Sequence, residues 1–250
     1  MRVYHAIYRL DFLRNYAMMD HPGSVAKLVE TGGSPDFFDM YGEDRNARRL
    51  MAKRLLKEEK RFRTITVEPT AIVCEFERAD GVAIDTLTED RDFVRLCSIA
   101  NSVLTEFNIL KLERAGLRLF LLGKNCESAK DAVRACRALL KPAVIGEAEE
   151  ILGAITDVGF GIDGASDANI SYHLKFGPYI GLQESGKYFG SINELLSTDF
   201  TADTVMDLDL YENKFAFTTF KVLEWCIPHL SLAGKVATTV AKAIVQEAKK

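Results

Sequence analysis

Cysteine is scarce and unpatterned in this chain. Cys74, Cys97, Cys126, Cys136 and Cys226 are an odd number, and no two of them form a Cys-x-x-Cys pair. That excludes a fully paired disulfide framework and a Cys/His zinc framework, and it leaves thiols that act as small hydrophobes. Long apolar runs are missing too: no window approaches the roughly 18 uncharged apolar residues of a membrane helix. At the start, Val3 to Phe12 alternates where a signal peptide would carry an apolar block. The expectation is a cytoplasmic protein with no membrane contact.

The catalytic signatures are absent as well. There is no G-x-S-x-G elbow, no Walker lysine loop and no H-E-x-x-H pair. Nor is there a helix-turn-helix or RNA-binding signature, or an internal repeat at solenoid or propeller periods. With 48% apolar and 27% charged residues among 250, the composition is that of an ordinary soluble domain, long enough for a substantial core.

What the chain does have is a concentration of positive charge. Arg45, Arg48, Arg49, Lys53, Arg54, Lys57, Lys60, Arg61 and Arg63 face only Glu58 and Glu59, a local net of +7 in a chain of net −4. The spacing of Arg45, Arg49, Lys53 and Lys57 is i,i+4, which predicts one basic face of a helix running from an Asp44 N-cap to about Arg61. Ala47, Met51, Leu55 and Phe62 would form its apolar side. Such a helix is either a plain solvated surface, a phosphate-backbone contact for nucleic acid, or a docking face for an acidic protein. Arg114 and Arg118 would extend it if their strand lay alongside.

Around it the pattern is mixed. Tyr4, Ala6, Tyr8, Leu10 and Phe12 alternate as a half-buried strand, with His5, Arg9 and Asp11 on the other face. Pro22-Gly23 to Pro35 reads as a loop, and His21 immediately precedes it. Arg63–Glu68 and Ala71–Glu77 read as strands, Glu89–Asn108 as a helix, Leu110–Leu122 as a long strand and Ser128–Leu140 as a short helix. In the second half, Ile155–Asp163 and Asn169–Phe176 predict a hairpin and Thr204–Tyr211 a strand. A closing helix spans about Thr218–Val245, broken at Pro228 beside His229. Strands packed with a few helices, without βαβ alternation, predict an α+β fold. It has two mostly antiparallel sheet-and-helix halves, residues 1–143 and 144–250, packed as one compact unit and divided near Lys141–Gly146.

The segment Leu112-Glu113-Arg114-Ala115-Gly116-Leu117-Arg118-Leu119-Phe120 after a helix ending at Asn108, with the late Asp207-Leu208-Asp209 strand before a C-terminal helix, resembles an uncharacterised, sporadically distributed family of bacterial proteins of about this length. The resemblance implies the same order of elements over most of the chain. It carries no catalytic residues across.

Two further constellations bear on chemistry. Gly159-Phe160-Gly161-Ile162-Asp163-Gly164 matches G-x-G-x-x-G, but the strand pattern after it supplies no helix N-terminus for a pyrophosphate, so no cofactor is expected. Asp207 and Asp209 share a strand face. If their strand adjoins the hairpin, His173 joins them and the three would hold a divalent metal, or act as base and orienter in a metal-assisted hydrolase. The small apolar residues of Ala233–Val245 suit helix packing on the sheet or in a homo-oligomer. The leading expectation is a non-catalytic binding or adaptor protein whose basic residues, chiefly Arg45, Arg49, Lys53, Lys57, Lys60 and Arg61, meet nucleic acid or an acidic protein. A metal-assisted hydrolase and a structural subunit of a larger assembly are the alternatives.

Overall fold

A computed structural model describes residues 1–32, 36–140, 142–153, 157–166, 170–179, 188, 190–191 and 202–249. Its frame is one antiparallel sheet with helices, an α+β fold. The strands are β1 (Arg2–Asp11), β2 (Met40–Asp44), β3 (Arg49–Leu56), β4 (Arg61–Glu68), β5 (Ala71–Val82), β6 (Lys111–Gly123), β7 (Phe160–Ala165), β8 (Ser171–Pro178) and β9 (Thr204–Ala216). Their order across the sheet is β2-β3-β4-β5-β1-β6-β9-β8-β7. The sheet is continuous through both halves of the sequence, because β6 pairs with β9 from Lys111–Ala216 to Gly123–Thr204.

Period-2 alternation drives this layer. In β6, Leu117, Leu119 and Leu121 are fully buried, opposite Tyr8, Ala6 and Val3 of β1. Each buried leucine contributes about 1.5–3 kcal/mol. The helices α1 (Tyr16–Asp20), α2 (Pro22–Gly32), α3 (Arg91–Glu106), α4 (Ala129–Ala138), α5 (Pro142–Leu152) and α6 (Val222–Ala248) accompany the sheet. Phe93 of α3 sets its ring edge-on to Tyr8 and Phe76 and so fixes α3 over the central strands. The ends of α3 follow from local chemistry. Asp90 accepts from the Asp92 and Phe93 amides at the start. At the finish, Ile109 N bonds Leu104 O and Asn108, at φ 49°, bonds Thr105 O, a Schellman closure with asparagine in the left-handed position.

The predicted basic helix is not there. Residues 45–63 form the Asp44–Arg49 turn, β3, the turn before Arg61, and the start of β4. Asp44 Oδ1 accepts from the Asn46 and Ala47 amides, which is the same local bonding an N-cap makes, but here it closes a hairpin turn. Arg48 at φ 53° and Lys60 at φ 52° then turn the chain in a way no helix permits. Arg49 and Lys53 share one sheet face with Met51, while Arg54 points to the other.

Two other readings are corrected by the same structure, at Pro22 and at Pro228. Pro22 opens α2 rather than a loop, suiting the first helical position, and Val25 and Val29 bury its inner face. Helix α5 occupies the segment read as a boundary, and Arg137 of α4 pairs with its Glu149. Helix α6 runs through Pro228 unbroken, with Pro228 and Glu224, whose carbonyl loses its partner, both on the exposed side. The hairpin of β7 and β8 stands where expected over its described part, while 154–156 and 167–169 lie outside the described residues. Thr204–Tyr211 is part of a longer strand ending at Ala216. Asp80-Gly81 lies inside β5 at an irregularity: Gly81 has φ 63°, and a Cβ there would meet the Tyr4 ring at 2.9 Å. No helix among the described residues is long and apolar enough to cross a membrane.

Candidate functional site

Cross-strand register puts polar residues in two rows on the sheet face opposite the leucines of β6. One row reads Asp163, His173, Asp209, Arg118, Ile7, Glu75, Thr64, Lys53 from β7 to β3. Its neighbour reads Gly161, Lys175, Asp207, Phe120, His5, Glu77, Phe62, Leu55. Directly opposite residues on antiparallel strands point the same way, so these rows are a single charged surface.

The expected adjacency of His173, Asp207 and Asp209 is therefore present, with β8 beside β9 and His173 opposite Asp209. Their partners, however, lie elsewhere. Arg118 donates from Nε to Asp207 Oδ1 at 2.8 Å and from Nη2 to Oδ2 at 2.7 Å. Arg114 Nη2 donates to Asp209 Oδ2 at 2.8 Å, and His173 Nδ1 is bonded to Asp163. The guanidiniums of Arg114 and Arg118 also lie over Tyr211 and Phe120 at 4.4 and 4.7 Å. The hydrogen bonds to Asp207 raise the Arg118 guanidinium above its ordinary range, against the opposing effect of burial. Among the described residues, no three of His, Cys, Asp and Glu stand together as a group able to hold a metal ion.

His5 and Glu77 fasten a remote segment onto this face. His5 Nδ1 lies 2.8 Å from the Tyr188 carbonyl, which can only accept, so Nδ1 carries the proton. The ring stacks on Phe120 at 5.1 Å, with Nε2 3.7 Å from Glu77 Oε1. Glu77, 1% exposed, accepts from the Gly190 and Ser191 amides at 2.9 and 3.0 Å. Beside it, burial pushes the Glu75 carboxyl up; His5 pulls it down and Glu77 adds to the rise. Sequence reasoning placed His5 on the polar side of β1 but did not single out Glu75 and Glu77. The available signal was two glutamates alternating within an otherwise apolar β5 run.

The basic segment divides by partner. Arg45 pairs with Glu43, Arg49 with Glu68, Arg54 with Asp39, and Arg61 with Glu59 and Asp92. Arg63 is buried, with Nη1 2.6 Å from Asp92, Nε on the Phe37 carbonyl and its guanidinium 4.1 Å from the Phe37 ring centre. Among the described residues, Arg48, Lys53, Lys57 and Lys60 have no ion-pair partner. Arg114 and Arg118, far from β3 in the sheet, do not extend this surface.

Cavities border these elements. One of about 1120 Å³ lies between α6 and the segment around Ile84 and Thr88, past Ile227, Lys235 and Val245. One of about 270 Å³ adjoins Glu43, Arg48, Arg49 and Glu68. Another of about 380 Å³ adjoins Lys175, Asp207 and Tyr188. The glycines of 159–164 run into β7, and the next element is β8, so no helix N-terminus follows them.

The fold and the charged face define an α+β protein with an open nine-stranded sheet among its described residues. No protein-family model matches the chain, and no curated protein matches it. Among solved structures, the di-domain ARO/CYC StfQ from the steffimycin biosynthetic pathway aligns over 97% of this chain and 98% of its own, at 10% sequence identity and a TM-score of 0.19. A superposition that loose carries no argument about fold or activity.

Proposed function

We propose that the protein is a non-catalytic cytoplasmic binding or adaptor protein that holds an anionic macromolecule on the β2–β4 edge of its sheet. One observation carries this reading. Arg114, Arg118 and His173 on the central face are engaged with Asp209, Asp207 and Asp163, while Arg48, Lys53, Lys57 and Lys60 stand on the edge hairpins without a counter-ion among the described residues. The turns bearing Arg48 and Lys57 lie at opposite ends of β3, roughly 26 Å apart at the usual strand rise. Glu43, Glu58, Glu59 and Glu68 are interspersed with the cations. A continuous phosphate backbone would meet these carboxylates, so a segment of acidic protein suits the mixed surface better than nucleic acid does.

The test is a binding titration of labelled polyglutamate, DNA and RNA across a salt series, with wild type and an Arg48→Asn, Lys53→Glu, Lys57→Glu, Lys60→Asn variant. Asparagine tolerates the left-handed backbone at 48 and 60, so the variant keeps its turns. Removing four contacts of about 0.5 kcal/mol each predicts roughly thirtyfold weaker binding. Preference for DNA or RNA over polyglutamate would replace the acidic protein with nucleic acid. No association with any of the three at low salt would overturn the reading.

A further inference from the structure

The two outer strands of the sheet are unlike each other. At one end, β7 carries Gly161, Asp163 and Gly164, residues that weaken a strand and discourage addition of another. At the other end, β2 reads Met-Tyr-Gly-Glu-Asp, with neither proline nor lysine, and is paired only with β3. Among the described residues, its outer edge is a row of backbone donors and acceptors with no strand beyond it. Met40 and Tyr41 are 57% and 47% exposed, and Met51 on the adjoining strand is 36% exposed, so exposed large apolar side chains gather here.

The charges flanking this strand are self-complementary. Asp39 immediately precedes Met40, and Arg45 immediately follows Asp44. If a second copy pairs antiparallel with its Gly42 opposite Gly42, Asp39 of each copy falls opposite Arg45 of the other. Both groups are available for this: the Arg45 side chain is 87% exposed and that of Asp39 is 51% exposed, and each has only a loose intrachain contact at 3.6 Å. At the centre, Gly42 has no side chain and the Met51 methyl lies over it, 3.7 Å from where a Cβ would stand. Two such methionines would lie on one face of the ribbon, flanking the axis over facing glycines. The same patch thus meets itself under a two-fold rotation, as an isologous interface requires.

We propose that two copies of this chain join edge to edge through β2, antiparallel about Gly42, into one sheet running through the dimer. The contact is a single strand pair with two ion pairs and a methionine seam, well below the standard interface area, so the dimer forms and dissociates with concentration. The proposal does not depend on the anionic partner, and it uses none of the four cations assigned to that partner.

Sedimentation of the full chain up to several hundred micromolar, without any added partner, tests it. Wild type is expected to shift from monomer to dimer. Asp39→Arg and Arg45→Asp are each expected to weaken association at least tenfold. The double variant Asp39→Arg/Arg45→Asp exchanges the two charges, restores both interchain pairs and should recover the dimer. Arg54→Gln removes the intrachain partner of Asp39 and should leave association unchanged, with circular dichroism confirming that every variant is folded. Wild type remaining monomeric, a double variant no better than the single ones, or a dimer indifferent to both single substitutions would each overturn the proposal.

Discussion

Arg118 holds Asp207 with two parallel hydrogen bonds, from β6 to β9, on a carboxylate only 7% exposed. The neighbouring Arg114–Asp209 pair has a single such bond, and its carboxylate side chain is more open, 23% against 10%. Truncating Arg118 leaves an enclosed charge without its cation, whereas truncating Arg114 leaves one that water can reach. Arg118→Met is expected to cost about 2 kcal/mol and Arg114→Met under about 1 kcal/mol. Urea denaturation of the two variants checks the order, and equal losses would contradict it.

The Arg63–Asp92 pair ties β4 to the first turn of α3 in a drier setting. Burial raises the Asp92 carboxyl despite Arg63, and burial lowers the Arg63 guanidinium despite Asp92, so removal from water outweighs the attraction for both. Arg63→Met is expected to cost about 3 kcal/mol, since it strands a buried carboxylate. Arg63→Met/Asp92→Leu should recover a large part of that. A double variant as unstable as the single one would show that the pair itself, rather than the stranded charge, supplies the stability.

His229 gives the stability a pH dependence. Burial pulls its imidazole below the usual 6.5, while the Trp225 carbonyl and Glu212 oppose the shift. The unfolded chain therefore takes up this proton before the folded one does. The stability that His229 contributes is complete above about pH 6.5 and is lost as pH falls toward the folded-state value. Wild type should melt at lower temperature across that interval, and His229→Gln should show a flatter profile. In Glu212→Gln the imidazole titration, followed by NMR, should move lower still.

Thiol reactivity should be slow. Burial pushes Cys136 up to about 12 and Cys126 up to about 11, and Cys74 and Cys226 lie well above the ordinary thiol range. For Cys126 the first cause is burial, with Asp203 adding to it. At pH 8 its thiolate fraction is roughly a thousandth. An aromatic disulfide reagent should release little chromophore from the native chain over the time in which five thiols react in denaturant. A rapid native burst would show a thiol far more accessible than this packing allows.

How much of this was legible beforehand depends on the range of the interactions. Ala6 to Leu10, Leu117 to Leu121 and the Asp207-Leu208-Asp209 strand alternate as read, and each is a strand with the expected face inward, whereas the irregularity between Val3 and His5 turns Val3 rather than Tyr4 onto that face. The stretch from Arg45 to Arg63 satisfied an i,i+4 rule by charge alone. Asp44 begins a hairpin turn with the same side-chain-to-amide bonds that would begin a helix, so local chemistry could not separate the two. Partners on four of the strands then settled it: β2 against β3, and β4 against β5. The charged face had the opposite problem. Arg114, Arg118, Asp207 and Asp209 were each assigned to the polar side of a strand. That Arg118 meets Asp207 depends on a pairing between segments about ninety residues apart, which no local pattern encodes.

The central position of β1 has a kinetic consequence. Its neighbours β5 and β6 begin at Ala71 and Lys111, so this strand stays unpaired while a long intervening chain searches for its place. Joining such distant segments incurs the loop-closure cost before any contact rewards it, which makes for slow folding governed by topology. Until β5 arrives both edges of β1 are open, and until β6 arrives one remains so, with Val3, Tyr8 and Leu10 uncovered, the condition under which a chaperone or a misfolded neighbour competes best.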